Sequence, residues 1–206
     1  MNGIISRIMH HVIRFCYPFL QDIEREKRTE SDHLLKSRFM RIGDCCFLGE
    51  NPCIYNPEFI SIGNKFNARK FLRLEALTEY GGCHYSPRMV IGENVSIEDF
   101  VHIGCASSVT IGDGCLFASK VFITDHFHGS ISAKDISLKP NDRELSCKPV
   151  NIGSNVWLGD NVCIMPGVTL GDNVIVGANA VVTHSFPDNV VIAGCPARIL
   201  KHLVTK

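Results

Sequence analysis

Hydrophobic residues recur every six positions through most of the second half of the chain. From residue 152 the sequence reads IGSNVW, LGDNVC, IMPGVT, LGDNVI, VGANAV and VTHSFP. Each unit opens with an aliphatic residue, and the fifth position is small or aliphatic in the first five units. A period of six matches neither the 3.6-residue turn of a helix nor the plain alternation of a strand. It is typical of a fold built from one repeated supersecondary unit.

The same unit recurs upstream, at 91–108 and 111–122, with weaker copies at 42–59 and 62–67. Between triplets of units the frame slips by two residues, as it does from Ile103 to Ile111. Three units therefore make one turn of roughly 18 residues, and the pattern predicts a triangular coil with the opening aliphatic side chains on its axis. We expect the following glycine to supply unusual backbone angles, and stability to depend on stacked neighbours.

The repeat stops at residues 124–149, which are polar and punctuated by proline. A segment of this length without repeats predicts one protruding loop, and such loops are usually functional or disordered. The segment begins with His126 and His128, one residue apart. Histidine titrates near neutral pH and is suited to general acid–base chemistry. From spacing alone, a structural loop histidine is the simpler interpretation.

Composition argues against several classes of protein. The chain has 206 residues, with 21 basic and 21 acidic side chains, so no net charge attracts it to nucleic acid. No apolar stretch approaches the roughly 18 residues of a membrane span, and the apolar start is interrupted by Arg7 and Arg14, unlike a signal peptide. The ten cysteines are scattered, which favours reduced thiols. We expect a cytoplasmic protein.

Several segments carry a family resemblance: SIEDFVHIG, ASKVFITDHFHGS, NVWLGDNVCIMPGVTLGDNVIVGANAVV and VIAGCPARIL. They resemble the hexapeptide-repeat acyltransferases, most narrowly the bacterial O-acetyltransferases that decorate capsule and lipopolysaccharide sugars. Galactoside and maltose O-acetyltransferases are similar but more distant. The resemblance implies an all-β domain at 41–203, a left-handed parallel β-helix with the loop 124–149 and a short C-terminal helix.

The resemblance also implies an activity, which is acetyl-CoA-dependent O-acetylation of a sugar hydroxyl, on a bacterial surface polysaccharide or its precursor. The family's catalytic histidine corresponds to His126, which would deprotonate the hydroxyl as it attacks the thioester directly. No cysteine nucleophile and no metal is expected. A homotrimer is implied, with active sites shared between subunits.

Further site residues follow from the same resemblance. Trp157 would line the site near the acetyl group, with the rest of coenzyme A reaching residues at later turns: Asp160, Ala178, Thr183, His184, Arg198 and Lys201. Candidates for the acceptor are Ser96, Glu98, His102 and His128. His128 would either contact the sugar or brace the loop. Asp125 would either orient an imidazole or bond its own backbone.

Other functions compete with this interpretation. Within enzymes the alternative is N-acetylation of an amino sugar nucleotide, and a non-catalytic β-helix scaffold is the alternative outside them. Gamma-class carbonic anhydrases share the repeat and bind zinc through histidines, which would make His102, His126 and His128 ligands. Their spacing does not match that family's pattern.

Residues 1–40 predict a separate helical segment. Apolar residues recur at helical spacing from Ile4 to Cys16 with basic residues on other faces, and Pro18 is expected to end the helix. Two roles remain open. The helix would cap the coil or pack in the oligomer, or it would lie weakly on the inner membrane surface as a basic amphipathic helix.

Overall fold

The structure is a computed structural model that describes residues 2–203, and only the backbone of residues 2–5, 7, 8, 24 and 28. Contacts divide the chain after Arg38 into two compact units. The first contains one helix, α1 (Asn2–Lys36). No helix in the described part of the chain is long and apolar enough to cross a membrane.

The expectation that Pro18 ends the first helix is wrong, because α1 continues through it for 35 residues in all. Proline removes one backbone hydrogen bond within a helix. Residues 4–36 contain no other proline and no glycine, and the helix resumes after that loss.

The second unit consists mainly of three sheets. The first sheet contains β1 (Arg41–Ile42), β3 (Ile60–Ile62), β8 (Arg88–Ile91), β11 (Ser108–Ile111), β16 (Val150–Ile152) and β19 (Thr169–Leu170). The second contains β4 (Asn67–Ala68), β9 (Ser96–Ile97), β12 (Leu116–Phe117), β17 (Trp157–Leu158), β20 (Ile175–Val176), β22 (Val190–Gly194) and β23 (Ala197–His202). The third contains β2 (Cys53–Tyr55), β5 (Arg73–Ala76), β10 (His102–Cys105), β13 (Phe122–Thr124), β18 (Cys163–Ile164) and β21 (Val181–Val182).

The chain visits the three sheets in turn and returns to the first, so that each circuit stacks on the preceding one. Neighbouring strands are parallel throughout the first and third sheets, and in the second as far as β22. In the third sheet Ile103 aligns with Leu74 on one side and Ile123 on the other. The predicted three-sided coil is therefore present.

The opening aliphatic residues form the core, as predicted. None of the six that open the units from residue 152 to 187 is more than 2 % exposed: Ile152, Leu158, Ile164, Leu170, Val176 and Val182. The fifth-position residues of the first five of these units are equally buried. Both sets exclude water along the axis, which is the main source of stability in such a coil.

The predicted reason for the repeated glycine is wrong. Gly112 and Gly153 are absent from the left-handed positions of the chain. A Cβ at Gly112 would lie 2.7 Å from the backbone of Gly153 in the next coil, and one at Gly153 equally close to Gly171. Glycine is needed because successive coils touch there. The left-handed angles fall two residues later in the unit, on residues such as Asn94, Asn155 and Asn173, which tolerate them better than most.

Two excursions leave the coil at one corner, where the chain passes from the third sheet back to the first. We call this the insertion corner. The first excursion, residues 77–87, contains the antiparallel pair β6 (Glu79–Tyr80) and β7 (Cys83–His84). The second, residues 125–149, contains β14 (His126–His128), α2 (Ala133–Ile136), a 3-10 turn at Pro140–Asp142 and β15 (Leu145–Cys147). The predicted loop is thus largely an ordered hairpin, with β14 and β15 antiparallel.

The predicted C-terminal helix is wrong. Residues 197–202 form β23, which runs antiparallel to β22 and extends the second sheet. An unpaired strand at the end of a sheet leaves its backbone N–H and C=O groups without partners. Folding back as β23 satisfies the open edge of β22, and this outweighs the helical preference of the short segment.

Candidate active site

Asp125 is the first residue of the second excursion and is fully buried. Its carboxylate reaches the preceding coil and accepts hydrogen bonds from three backbone amides. Oδ1 accepts from Ala106 at 2.8 Å, and Oδ2 accepts from Ser107 and Ser108 at 2.7 Å each. Ala106 and Ser107 form the short turn between β10 and β11, and Ser108 is the first residue of β11, at the same corner one coil earlier. The aspartate therefore ties the excursion to the coil.

The same carboxylate holds His126. Nδ1 of the imidazole lies 2.9 Å from Oδ1 of Asp125 and 3.2 Å from Oγ1 of Thr124. A carboxylate can only accept, so Nδ1 carries the proton and donates it. The other nitrogen, Nε2, has no hydrogen-bond partner among the described residues, and the side chain is 9 % exposed. Its lone pair is available to a ligand.

The electrostatics keep Asp125 ionised. Burial alone would raise the pKa of its carboxyl. Hydrogen bonds from His126 and from the amides of Ala106 and Ser107 stabilise the charged form, and together they lower the pKa below its ordinary 3.8. A permanent carboxylate behind Nδ1 fixes the tautomer of His126 and stabilises the imidazolium that forms when Nε2 takes a proton. The pair therefore has the geometry of a general base.

The two excursions pack on each other beside this pair. The backbone amide of Leu145 donates to the hydroxyl of Tyr85 at 2.7 Å. The ring of Tyr80 meets that of His128 edge to face at 4.7 Å, and the His128 ring lies 6.0 Å from that of His126. His128 is thus both near the base and braced by the first excursion.

His102 also lies at this site. It stands on β10 directly beside β13, aligned with Phe122, and its Nε2 lies 2.7 Å from Oε2 of Glu75. Arg73 donates to the other oxygen of Glu75 at 2.5 Å. Burial would raise the pKa of Glu75, but the hydrogen bonds from His102 and Arg73 lower it overall. Neither Glu75 nor Arg73 stood out in the sequence.

The other two predicted acceptor residues are elsewhere in the chain. Ser96 lies on β9 in the second sheet, and its row continues through Leu116 to Trp157. Glu98 lies at the corner between the second and third sheets, where it is ion-paired with Arg69 at 2.9 Å. Within one subunit the fold therefore groups His102 and His128 with His126, and it leaves Ser96 and Glu98 apart from them.

The predicted donor residues occupy the second sheet and the corners of the last coils. Trp157 is 49 % exposed and shares a row with Lys201, through Ile175 and Val191.

Each of the remaining donor residues has a definite place. Asp160 and Ala178 lie at the corner that follows the second sheet, and Oδ1 of Asp160 accepts from the amide of Ser119 at 3.1 Å. Thr183 and His184 follow β21, with Oγ1 and Nδ1 3.3 Å apart. Arg198 lies on β23 and donates to the carbonyl of Ala197 at 2.7 Å. Strand β23 thus places Arg198 and Lys201 on the sheet that carries Trp157.

The histidines that the structure describes do not form a metal cluster. Among residues 2–203 no group of three or more His, Cys, Asp and Glu side chains is arranged to hold a metal ion. His102 and His126 instead each engage a carboxylate of their own.

Comparison with known proteins agrees with the fold. The family model described as bacterial transferase hexapeptide (six repeats) matches residues 149–184. A putative lipopolysaccharide biosynthesis O-acetyl transferase, WbbJ of Escherichia coli (strain K12), is 45 % identical over 179 residues, which are 84 % of this chain and 86 % of that one. Galactoside O-acetyltransferase of Escherichia coli (strain K12) is 37 % identical over 58 % of this chain and 56 % of its own length.

A solved structure gives the same result. The hexapeptide-repeat acetyltransferase VCA0836 of Vibrio cholerae O1 biovar eltor, complexed with acetyl coenzyme A, superposes with a TM-score of 0.62. It is 25 % identical, and the match covers 86 % of this chain and 79 % of that one. Identity and coverage of this extent, over a coil with the same repeat, establish that the chain belongs to the hexapeptide-repeat acetyltransferases and is an acyltransferase.

Proposed function

We propose that the protein is an acetyl-CoA-dependent O-acetyltransferase that acetylates a sugar hydroxyl of a bacterial surface polysaccharide or its precursor. The observation that carries the proposal is the Asp125–His126 pair, in which a buried carboxylate held by three backbone amides fixes the imidazole and leaves Nε2 free. The relative named as a lipopolysaccharide biosynthesis O-acetyl transferase supports the class of acceptor.

The chemistry follows from the position of the proton. Nε2 of His126 accepts the proton of the acceptor hydroxyl as its oxygen attacks the acetyl carbonyl. Asp125 remains ionised and stabilises the imidazolium. When the carbon–sulfur bond breaks, Nε2 returns the proton to the leaving sulfur, so that the imidazole is neutral again. Acetyl-CoA supplies the acetyl group as an activated thioester, and no cysteine of the chain takes part.

The exposed strip on the second sheet fits this co-substrate. Trp157 offers an apolar surface, and Arg198 and Lys201 offer two cations on the strand that completes the same sheet. A thioester arm and the phosphates of a nucleotide need such a combination. A solved relative complexed with acetyl coenzyme A supports the assignment.

We further propose that the coil is a left-handed β-helix and that three copies assemble. His126 leaves the third sheet at the insertion corner, whereas Trp157 stands on the second sheet. A site that needs both residues is best completed by the insertion corner of one subunit and the second sheet of another. This arrangement is a closed symmetric oligomer of head-to-tail contacts.

We also propose that the protein is cytoplasmic, because the donor and the sugar precursors of such a reaction are cytoplasmic. Contact of α1 with the inner membrane stays a prediction. It is tested by co-sedimentation with anionic liposomes, comparing the full chain with one that lacks residues 1–30. Equal sedimentation of the two would remove the membrane role.

The test of the activity is acetyl transfer by the wild-type protein to a panel of sugars and polysaccharides. Thiol release that depends on the acceptor, together with a product that gains one acetyl group, would support the proposal. Mild alkali hydrolyses an ester and leaves an amide intact, so removal of the acetyl group by alkali distinguishes O-acetylation from N-acetylation of an amino sugar nucleotide. A protein that does not bind acetyl-CoA would instead be a scaffold.

A further inference from the structure

A second imidazole–carboxylate pair lies in the third sheet beside the first. Glu75 is on β5 and His102 on the adjacent β10, with 2.7 Å between Oε2 and Nε2. The side chains are 14 % and 29 % exposed. Arg73, aligned with His102 in the sheet, donates to the other oxygen of Glu75. The carboxylate is therefore held from two directions and its charge is balanced.

The Asp125–His126 and Glu75–His102 pairs both border the backbone at Gly104, which has no side chain. Gly104 stands between Glu75 and Thr124 in the register of the sheet. A Cβ at this position would lie 3.2 Å from Cε1 of His126 and 3.9 Å from Nε2 of His102. Gly104 is not among the left-handed residues of the chain, so the missing side chain provides space and not backbone freedom. Both imidazoles therefore border the same small space.

The two imidazoles contact their carboxylates through different ring nitrogens. Nδ1 of His126 is hydrogen-bonded to Asp125, and Nε2 of His102 is hydrogen-bonded to Glu75. Asp125 is fully enclosed and already accepts four hydrogen bonds. Glu75 remains partly open and accepts two, whereas a carboxylate has about four acceptor positions. Glu75 thus retains capacity to accept from a ligand beside His126.

We propose that Glu75 binds the acceptor hydroxyl next to the reacting one, and that His102 and Arg73 are positioning residues that hold the carboxylate for this contact. The proposal rests on the proposed function. It assigns a substrate class, namely acceptors with a hydroxyl beside the acetylated position. An anionic group such as a carboxylate at that position would face Glu75 and be rejected.

The test uses binding, which does not require turnover. Saturation-transfer NMR with coenzyme A present measures the affinity of methyl glycosides of glucose, galactose, mannose and rhamnose. Monodeoxy derivatives of the glycoside that binds best are then compared with the parent. In the wild type, one deoxy derivative should bind about 10-fold or more weakly than the parent, since a hydrogen bond to a charged group is lost.

Glu75→Gln should remove this discrimination by weakening the parent while leaving that derivative unchanged. His102→Gln keeps an N–H donor toward Glu75 and should retain the discrimination, whereas His102→Ala should lose it. Glu50→Gln is the matched control, since Glu50 is also ion-paired, with Lys70 at 3.2 Å, and should change nothing.

Three results would overturn the proposal. No glycoside binds the wild type, Glu75→Gln weakens binding of the parent glycoside and of the deoxy derivative equally, or it weakens binding of neither. A thermal unfolding curve for each variant identifies general loss of structure. Discrimination that depends on Glu75, in a protein that transfers no acetyl group, would support this subsite and contradict the proposed function. Acetyl transfer without such discrimination would support the proposed function and contradict this subsite.

Discussion

The hydroxyl of Tyr85 accepts a hydrogen bond from the backbone amide of Leu145 at 2.7 Å, across 60 residues of sequence. This contact joins the two excursions of the insertion corner, which leave the coil two turns apart, one coil before and one coil after the turn that Asp125 binds. The excursion that carries His126 and His128 is therefore braced by a hairpin that the repeat pattern does not include.

Tyr85→Phe is expected to loosen the second excursion. It leaves the amide of Leu145 without its partner, which should lower the free energy of unfolding by about 1–3 kcal/mol. Hydrogen exchange should accelerate at residues 125–149 and remain unchanged in the last coils. Tyr80→Phe is the control, because its hydroxyl makes only a 3.4 Å contact with Asn141. Equal effects of the two substitutions would contradict the bracing role of Tyr85.

Asp125→Asn is expected to destabilise the fold at neutral pH. The amide of asparagine would point a donor at backbone N–H groups, and the charge-assisted bonds would be lost, at a cost of roughly 2–4 kcal/mol. Urea unfolding measures the change. Asp135→Asn is the control, because Asp135 also accepts from a backbone amide, that of Ser130, but is only partly buried, and should cost less.

The same substitution predicts a pH dependence. The pKa of Asp125 is lower in the folded chain than its ordinary value of 3.8, so its contribution to stability is fully present above that value. It is lost as the pH falls from about 3.8 through the folded pKa. The difference in unfolding free energy between wild type and Asp125→Asn should shrink as the pH falls below about 4. A difference that grows as the pH falls through this acid range would contradict this account.

A good part of the fold could be predicted from the sequence, because a six-residue period with buried opening residues leaves few alternatives. Even there, the sequence indicates the wrong role for the glycines. Periodicity reports which side chains face the axis, but it does not report that Gly112 and Gly153 touch across coils. For residues 197–202 the sequence predicts a helix and the structure has a strand, since this strand depends on the open edge of β22 and not on the local pattern.

The site was only partly predictable for a similar reason. His126 is marked by a resemblance in its local segment, and Asp125 was recognised as a candidate to orient it. Glu75 and Tyr85 lie in an earlier coil and in an irregular hairpin, where no period applies. Whether Glu75 and Tyr85 contact residues of the site depends on how two insertions align across coils. A single sequence contains no local pattern for that alignment.

The proposed sharing of the site between subunits predicts complementation. His126→Ala and Trp157→Ala should each be nearly inactive alone. When the two are co-expressed, mixed oligomers would recombine an intact His126 with an intact Trp157 from the neighbour at up to roughly a quarter of the sites. Acetyl transfer should then reappear in the mixture. Transfer that stays at the level of the separate variants would indicate a site within one subunit.

The most direct test of the central claim is the rate of acceptor-dependent thiol release from acetyl-CoA in His126→Ala, measured beside His128→Ala. The account predicts a loss of about 100-fold or more for His126→Ala, since the substitution removes the proposed general base. His128→Ala should stay within about 10-fold of the wild type, because His128 borders the site without holding the proton. A His126→Ala protein that is folded and retains wild-type turnover would contradict the assignment of the base.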